Sequence, residues 1–506
     1  MDMSGQDDAG ERGEFGAAAT RGEHGVSTVV EIAGGRVYGV AESVGAYAFR
    51  GIPYAASPVG ELRFAPPLPH PGWAGVRDAA GSGPAVPQWP SRLESVMGAR
   101  IPRWDEDGCL TVDVWVPQGD SHTPRAVLLW FHGGGFTSGS GGWDWYDGGR
   151  LAALGDIIVV TANYRLGPLG YLRLPGAGNL GSQDQAAALR WVRENIAAFG
   201  GDPDLITVGG QSAGAFSAMA LATDPGTGPA VRRVIGQSGP WGMSPQDPDE
   251  ATATTGKYLA LLGIPDDGAD PTPRLRSLPV LDLVQAYARL MFDTAVPGRI
   301  APPLYPVLGG AIQSAGWRDL VPAGALRGKD VLLGATGNEL GSFFALNPMI
   351  RMISDDAAVR LVGEIAGDSG ESRYRQYLAE HPGARPAHAL TAVGGEVMFG
   401  DDLSVFGEAL AAQGNPAYLY RFLREPSPDP FGLGAAHCAD LPYLFGTFDS
   451  YPNSPMLGTV GARDDALAAQ FGGALAAFVA TGSPNGPGLE PWKPWLPGPE
   501  PEMREF

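Results

Sequence analysis

Cysteine is nearly missing from this chain of 506 residues: only Cys109 and Cys438 occur. Two cysteines supply neither a disulfide framework nor a zinc-finger pattern, and such sparing use fits a reducing compartment. Positive charge is also short, with 35 Lys and Arg against 55 Asp and Glu and a formal net charge of -20. Nucleic acids and anionic membrane surfaces both select clustered Lys and Arg, so neither is an expected partner. No run approaches the roughly 20 apolar residues that span a bilayer. The N-terminus, MDMSGQDDAGERGEFG, has neither the basic start nor the apolar stretch of a secretory signal. These absences lead to the expectation of a cytoplasmic protein.

What the chain has in quantity is apolar side chain, 44% of all residues, and glycine, 75 in number. That content can build a substantial core over this length. Residues 1–25 are polar and rich in Gly and Ala, and read as a disordered tail. From 26 to 506 no repeat or convincing linker divides the chain, so a single domain is expected. Residues 27–32 and 36–40 flank Gly34 and Gly35 as an edge hairpin. Apolar runs of strand length follow at 126–131, 156–161, 205–208, 331–334 and 417–422, of the unalternating kind that suits strands buried on both faces. Residues 183–199 carry a helical pattern closed by Gly200 and Gly201. Strand alternating with helix implies an α/β fold around a mostly parallel sheet. The stretches 241–325 and 340–412 carry broken helical patterns, and are expected to be helical insertions over the active edge of the sheet.

Ser212 stands between Gly210 and Gly214. This G-x-S-x-G spacing fits a nucleophile elbow. In so glycine-rich a chain roughly half of one such match arises by accident, so context decides. An apolar strand precedes the serine, and a small-residue helical pattern, Ala213 to Leu221, follows it. A serine needs in addition a base, a group that orients the base, and donors for the oxyanion. Phe131-His-Gly-Gly-Gly-Phe136 follows a strand directly. Its glycines let successive N–H groups converge, which makes Gly134, Gly135 and Ala213 the candidate donors and His132 a structural neighbour. Downstream of Ser212 only His381, His388 and His437 occur. The first two lie in Pro- and Ala-rich sequence, whereas His437 follows the last clear strand through a short loop, which makes it the candidate base. For the acid, Glu339 lies five residues past the strand ending at Gly334, with Asp401, Asp402 and Asp440 as rivals.

These segments together resemble the type B carboxylesterase family, which includes bacterial para-nitrobenzyl esterases, animal carboxylesterases and the cholinesterases. The resemblance runs from about residue 27 to 496. It is carried by Phe49-Arg-Gly-Ile-Pro-Tyr-Ala55 with Pro58-Val-Gly-Glu-Leu-Arg-Phe64, by Glu106-Asp107 with Cys109-Leu110, and by the glycines after His132. It continues through Asn163-Tyr-Arg-Leu-Gly167, Gly178-Asn179, Asp184-Gln185, Phe199-Gly-Gly-Asp-Pro203 and Ser212-Ala-Gly214 to His437, Leu441-Pro-Tyr443, Phe445-Gly446, Thr481-Gly and Pro484-Asn485. The resemblance implies an α/β-hydrolase fold and a serine carboxylesterase that works through an acyl-enzyme. It implies a Ser-Glu-His triad at Ser212, Glu339 and His437, an oxyanion hole at Gly134, Gly135 and Ala213, and no metal or organic cofactor. The acid is thereby Glu339, because Gly334-x-x-x-Asn-Glu339 matches the family's acid-bearing segment. The expected partner is a small-molecule ester. The same triad also serves amides, carbamates and lactones, and a non-catalytic binding protein is the alternative from another class. Trp241, Phe343 and Phe344 resemble aromatics that line the substrate pocket in relatives. Gln211 stands where many relatives carry Glu, which removes one negative charge near the substrate. Val86 replaces the cysteine that secreted relatives pair with the counterpart of Cys109, and Cys438 reads as a small buried filler.

Overall fold

The computed structural model describes residues 28–415, 417–498 and 503–506. The tail expected over 1–25 lies outside the described residues. The strands in chain order are β1 (Val29–Ile32), β2 (Gly35–Tyr38), β3 (Val40–Ala41), β4 (Ala46–Pro53), β5 (Val76–Asp78), β6 (Thr111–Pro117), β7 (Arg125–Phe131), β8 (Ile158–Ala162), β9 (Gly201–Gln211), β10 (Arg233–Gln237), β11 (Asp330–Thr336), β12 (Ala417–Phe422) and β13 (Arg504–Glu505). Ten of them form one sheet in the order β13-β12-β11-β10-β9-β7-β8-β6-β4-β3, while β1, β2 and β5 form a small separate one. Pairing is parallel from β13 through to β8 and antiparallel from β8 to β3. The fold is that of an α/β hydrolase, with the large sheet flanked by helices.

The apolar content is divided by this sheet. Along β7, Val127, Leu129 and Phe131 enter one core cluster, and Ala126, Leu128 and Trp130 enter the other. Successive side chains of a strand point to opposite faces, so a strand covered on both sides must be apolar throughout. All seven residues of β7 and all five of β8 are accordingly buried.

Register sets the position of the site. Phe131 pairs with Gly210, Gln211 with Gln237, and Gln237 with Gly334, so β7, β9, β10 and β11 end along one edge of the sheet. In open α/β sheets this carboxyl edge is where ligands bind. The expected insertions contain helices Pro248–Leu261 and Val280–Asp293 in the first stretch, then Asp355–Ala366, Gly370–Glu380, Pro386–Gly395 and Asp401–Ala412 in the second. The second insertion carries a core of its own, with Leu340, Phe344, Val362, Leu390 and Phe399. Among the described residues no helix is long and apolar enough to cross a membrane.

Candidate active site

β9 ends at Gln211 and the helix Ala213–Thr223 begins two residues later, so Ser212 alone makes the turn. Its φ of 58° and ψ of -122° are strained for a residue with a side chain, at a cost of about 1–3 kcal/mol. The surroundings hold it there. The Ser212 N–H donates to the Gln237 carbonyl at 2.8 Å, and the Ser212 carbonyl accepts from Phe216 N at 3.1 Å. Both flanking glycines are sterically required. A Cβ at Gly210 would stand 2.3 Å from the Gly214 carbonyl carbon, and one at Gly214 would stand 1.9 Å from the Phe131 oxygen. Residues 206–211 and 213–223 are buried, and Ser212 between them is partly exposed.

Glu339 lies three residues past the end of β11. One carboxylate oxygen, Oε1, accepts from Thr336 N at 2.7 Å, and the other, Oε2, accepts from His437 Nδ1 at 2.5 Å. Both side chains are all but fully buried, 2% and 1% exposed, which keeps water from competing for the contact. The two loops are tied by Asn338 N donating to the Ala435 carbonyl at 2.7 Å, and Ser342 Oγ donates to the His437 carbonyl at 2.8 Å. With Nδ1 donating to the acid, Nε2 is an acceptor, and the Gln211 amide nitrogen lies 3.1 Å from it. A ring held in this tautomer can take a proton at Nε2.

The rivals are engaged elsewhere. His381 bonds the Tyr377 carbonyl, His388 sits against Arg385, and neither lines the cleft. Asp401 pairs with Arg373 and Asp402 with Arg318. Asp440 is buried behind Glu339: its Oδ2 accepts from Tyr420 Oη at 2.9 Å, and Oδ1 has no partner among the described residues. Burial, with Glu339 nearby, pushes its carboxyl up to about 7.

In the glycine loop, Gly134 and Gly135 have φ of 110° and 61°. A Cβ at Gly134 would meet the Ser138 oxygen at 2.0 Å. The Gly134 carbonyl accepts from Thr137 N and Ser138 N at 3.1 and 3.2 Å, which folds the loop back. The N–H groups of Gly134 and Gly135 make no hydrogen bond among the described residues. Ala213 is the first residue of its helix, where an N–H has no intrahelical acceptor. All three residues border the same cleft as Ser212 and His437. His132 holds the loop from beneath: its Nδ1–H donates to the Gly133 carbonyl at 2.8 Å, and its ring stacks on Tyr164 at 4.5 Å. Burial pushes it down to about 4, so it stays neutral at ordinary pH.

The cleft holds about 790 Å³ out to its open mouth. Gln211 and Phe343 lie in its wall; Trp241 and Phe344 do not. Trp241 is 1% exposed, with its indole edge-on to Trp317 and Phe406 on the far side of the wall. Phe343 and Phe344 share the short helix Gly341–Phe344, where adjacent residues point about 100° apart, and Phe344 enters the core of the second insertion. The pocket assignment of Trp241 and Phe344 is corrected accordingly. Phe399, Met243, Arg92, Trp143 and Tyr146, which the sequence did not single out, also line the wall. Phe399 lies 4.9 Å from the His437 ring and sits on a π-helical segment, Glu396–Gly400. Such segments recur at functional sites, but no sequence pattern marks this one. Cys438 borders the cleft yet is buried, and burial pushes its thiol well up. Cys109 and Cys438 are both free. Among the described residues no group of three or more His, Cys, Asp or Glu could hold a metal ion.

A family model described as "Carboxylesterase family" matches residues 26–504. A phenmedipham hydrolase of Pseudarthrobacter oxydans is 36% identical over 462 residues, covering 88% of this chain and 89% of the relative. The para-nitrobenzyl esterase of Bacillus subtilis (strain 168) is 36% identical over 423 residues, covering 82% of each. Among solved structures, a carboxylesterase of Geobacillus stearothermophilus superimposes with a TM-score of 0.79 at 35% identity, covering 93% of this chain and 94% of that one.

Proposed function

Since the chain belongs to the carboxylesterase family and is a carboxylic ester hydrolase, we propose that it cleaves esters through an acyl-enzyme formed on Ser212. The observation that carries this reading is the strained, partly exposed serine on the same cleft as a buried imidazole held by Glu339. As Ser212 Oγ attacks the carbonyl carbon, His437 Nε2 takes its proton, and Glu339 stabilises the imidazolium. For that step the serine hydroxyl takes the place of the Gln211 amide at Nε2. The N–H groups of Gly134, Gly135 and Ala213 bind the oxyanion, a contribution of about 3 kcal/mol per donor in comparable sites. His437 then returns the proton to the leaving alcohol, and water repeats the cycle on the acyl-enzyme. The groups need no cofactor in this scheme. The reading also takes residues from 26 onward as one catalytic domain and places the protein in the cytoplasm, supported by its two free thiols.

The test is initial rates on para-nitrophenyl esters from acetate to laurate, with Ser212→Ala in parallel. We expect kcat to fall about 10⁴-fold or more, with loss of covalent labelling by a fluorophosphonate probe. Full turnover by Ser212→Ala would remove Ser212 from the mechanism.

A further inference from the structure

Among the described residues that line the cleft there is one Arg or Lys and no Asp or Glu. Arg92 lines it beside Gly135 and Phe343, and the other lining residues are apolar or neutral. It is solvent-exposed, which puts it at the mouth. One guanidinium nitrogen, Nη2, donates to the Ile300 carbonyl at 2.8 Å, and the group lies 5.7 Å from the centre of the Phe343 ring. No carboxylate pairs with it among the described residues, although the chain has 55 acidic side chains against 35 basic ones. Arg50, Arg63, Arg165 and Arg424 are each paired with an acid, whereas Arg77, Arg150 and Arg385, like Arg92, have none among the described residues; what sets Arg92 apart is its place on the cleft. A guanidinium has five N–H donors in a planar fork that matches a carboxylate, and one accepting carbonyl occupies a single arm. Desolvation by the surrounding wall lowers its pKa, and the guanidinium remains a cation.

We propose that Arg92 selects esters whose acyl part carries a second, free carboxylate, as in monoesters of dicarboxylic acids. The placement of the ester carbonyl rests on the Ser212 reading above. With the carbonyl at Ser212 and its oxygen toward Gly135, the far end of a short acyl chain reaches Arg92, whose Nη2 lies 3.7 Å from where a Gly135 Cβ would stand. That proximity sets a spacer of a few methylenes. Screening at physiological salt confines the repulsion from the net charge of -20 to within about 8 Å of each charge. At the mouth the local cation decides. The alternative role for Arg92 is a plain tie between the segment around residue 92 and the Ile300 loop, and this would affect charged and neutral esters alike.

The experiment compares mono-4-nitrophenyl adipate with 4-nitrophenyl hexanoate, which replaces the free carboxyl by a methyl group. In the parent enzyme kcat/KM should favour the adipate, and the preference should shrink as salt rises. In Arg92→Gln the adipate-to-hexanoate ratio should fall at least tenfold, chiefly through the KM for adipate; Arg92→Lys, which keeps the charge but loses the fork, should fall between. An unchanged ratio, or equal losses on both esters, overturns the proposal. Ser212→Ala in the same assay separates the two readings. Hexanoate turnover that survives it sinks the Ser212 mechanism, whereas Ser212-dependent turnover with an unaltered ratio sinks Arg92 alone.

Discussion

Gln211 closes β9 with its backbone and meets His437 Nε2 with its side chain at 3.1 Å, while 1% exposed. As a donor it occupies the atom that the serine hydroxyl must reach. Gln211→Met keeps the length of the side chain and removes the donor, so the serine no longer has a hydrogen bond of about 1 kcal/mol to displace and kcat should rise by up to about fivefold. An unchanged or lower kcat would show that displacing Gln211 does not limit the reaction. At this scale the sequence was informative where function demands an unusual backbone. Gly210, Ser212 and Gly214 could be read because a Cβ at either glycine collides with main chain. Trp241 could not, since an aromatic next to a turn looks the same whether it faces a cleft or packs on Trp317.

Two segments noted in the sequence meet in one buried ion pair between elements. Arg165, in the loop after β8, engages Asp184, on the helix Leu180–Asn195, through Nε to Oδ2 and Nη2 to Oδ1, each 2.7 Å, with side chains 2% and 0% exposed. The same carboxylate accepts from Arg165 N at 3.0 Å, and Arg165 Nη1 reaches the Ala65 carbonyl at 2.8 Å. Removing one charge leaves the other buried and uncompensated, which costs about 3–5 kcal/mol. Asp184→Asn should therefore lower Tm by several degrees in calorimetry, and an unaltered Tm would contradict the energetic weight given to the pair. Elements were legible in proportion to how continuously apolar they are. β7 and β11 were recognisable as apolar runs, and β12 as four such residues before Arg421. β6 was not, because Asp113 interrupts it; that carboxylate is buried, accepting from Gly51 N at 2.7 Å and Ser82 Oγ at 2.5 Å. β10 is short and holds Arg233, Gly236 and Gln237, which gives no apolar signature, yet it supplies the carbonyl that fixes Ser212.

Across the whole molecule, buried carboxyls that hold their protons make stability depend on pH. Burial raises Asp113 to about 6 and Asp440 to about 7, from roughly 3.9 in an unfolded chain. Between the unfolded and folded values the folded state binds more protons, so stability is greatest below the unfolded value and falls as pH rises through the folded one. Asp440→Asn has no proton to lose there. Its Tm relative to the parent should therefore be more favourable at pH 8 than at pH 5, and an equal difference at both would place the titration elsewhere. The α/β class was legible at this scale because parallel strands impose their apolar runs, whereas most of the cleft wall beyond Gln211 and Phe343 was not, since it is assembled from chain-distant pieces. That division has a consequence for descent. Of the reacting groups proposed here, Ser212 and Glu339 follow strand ends of the sheet and His437 sits on a loop tied to the Glu339 loop, while Arg92, Ile300, Phe343 and Phe399 hang on segments outside the sheet. A lineage can exchange those segments one at a time and inherit a new diet without relearning the chemistry.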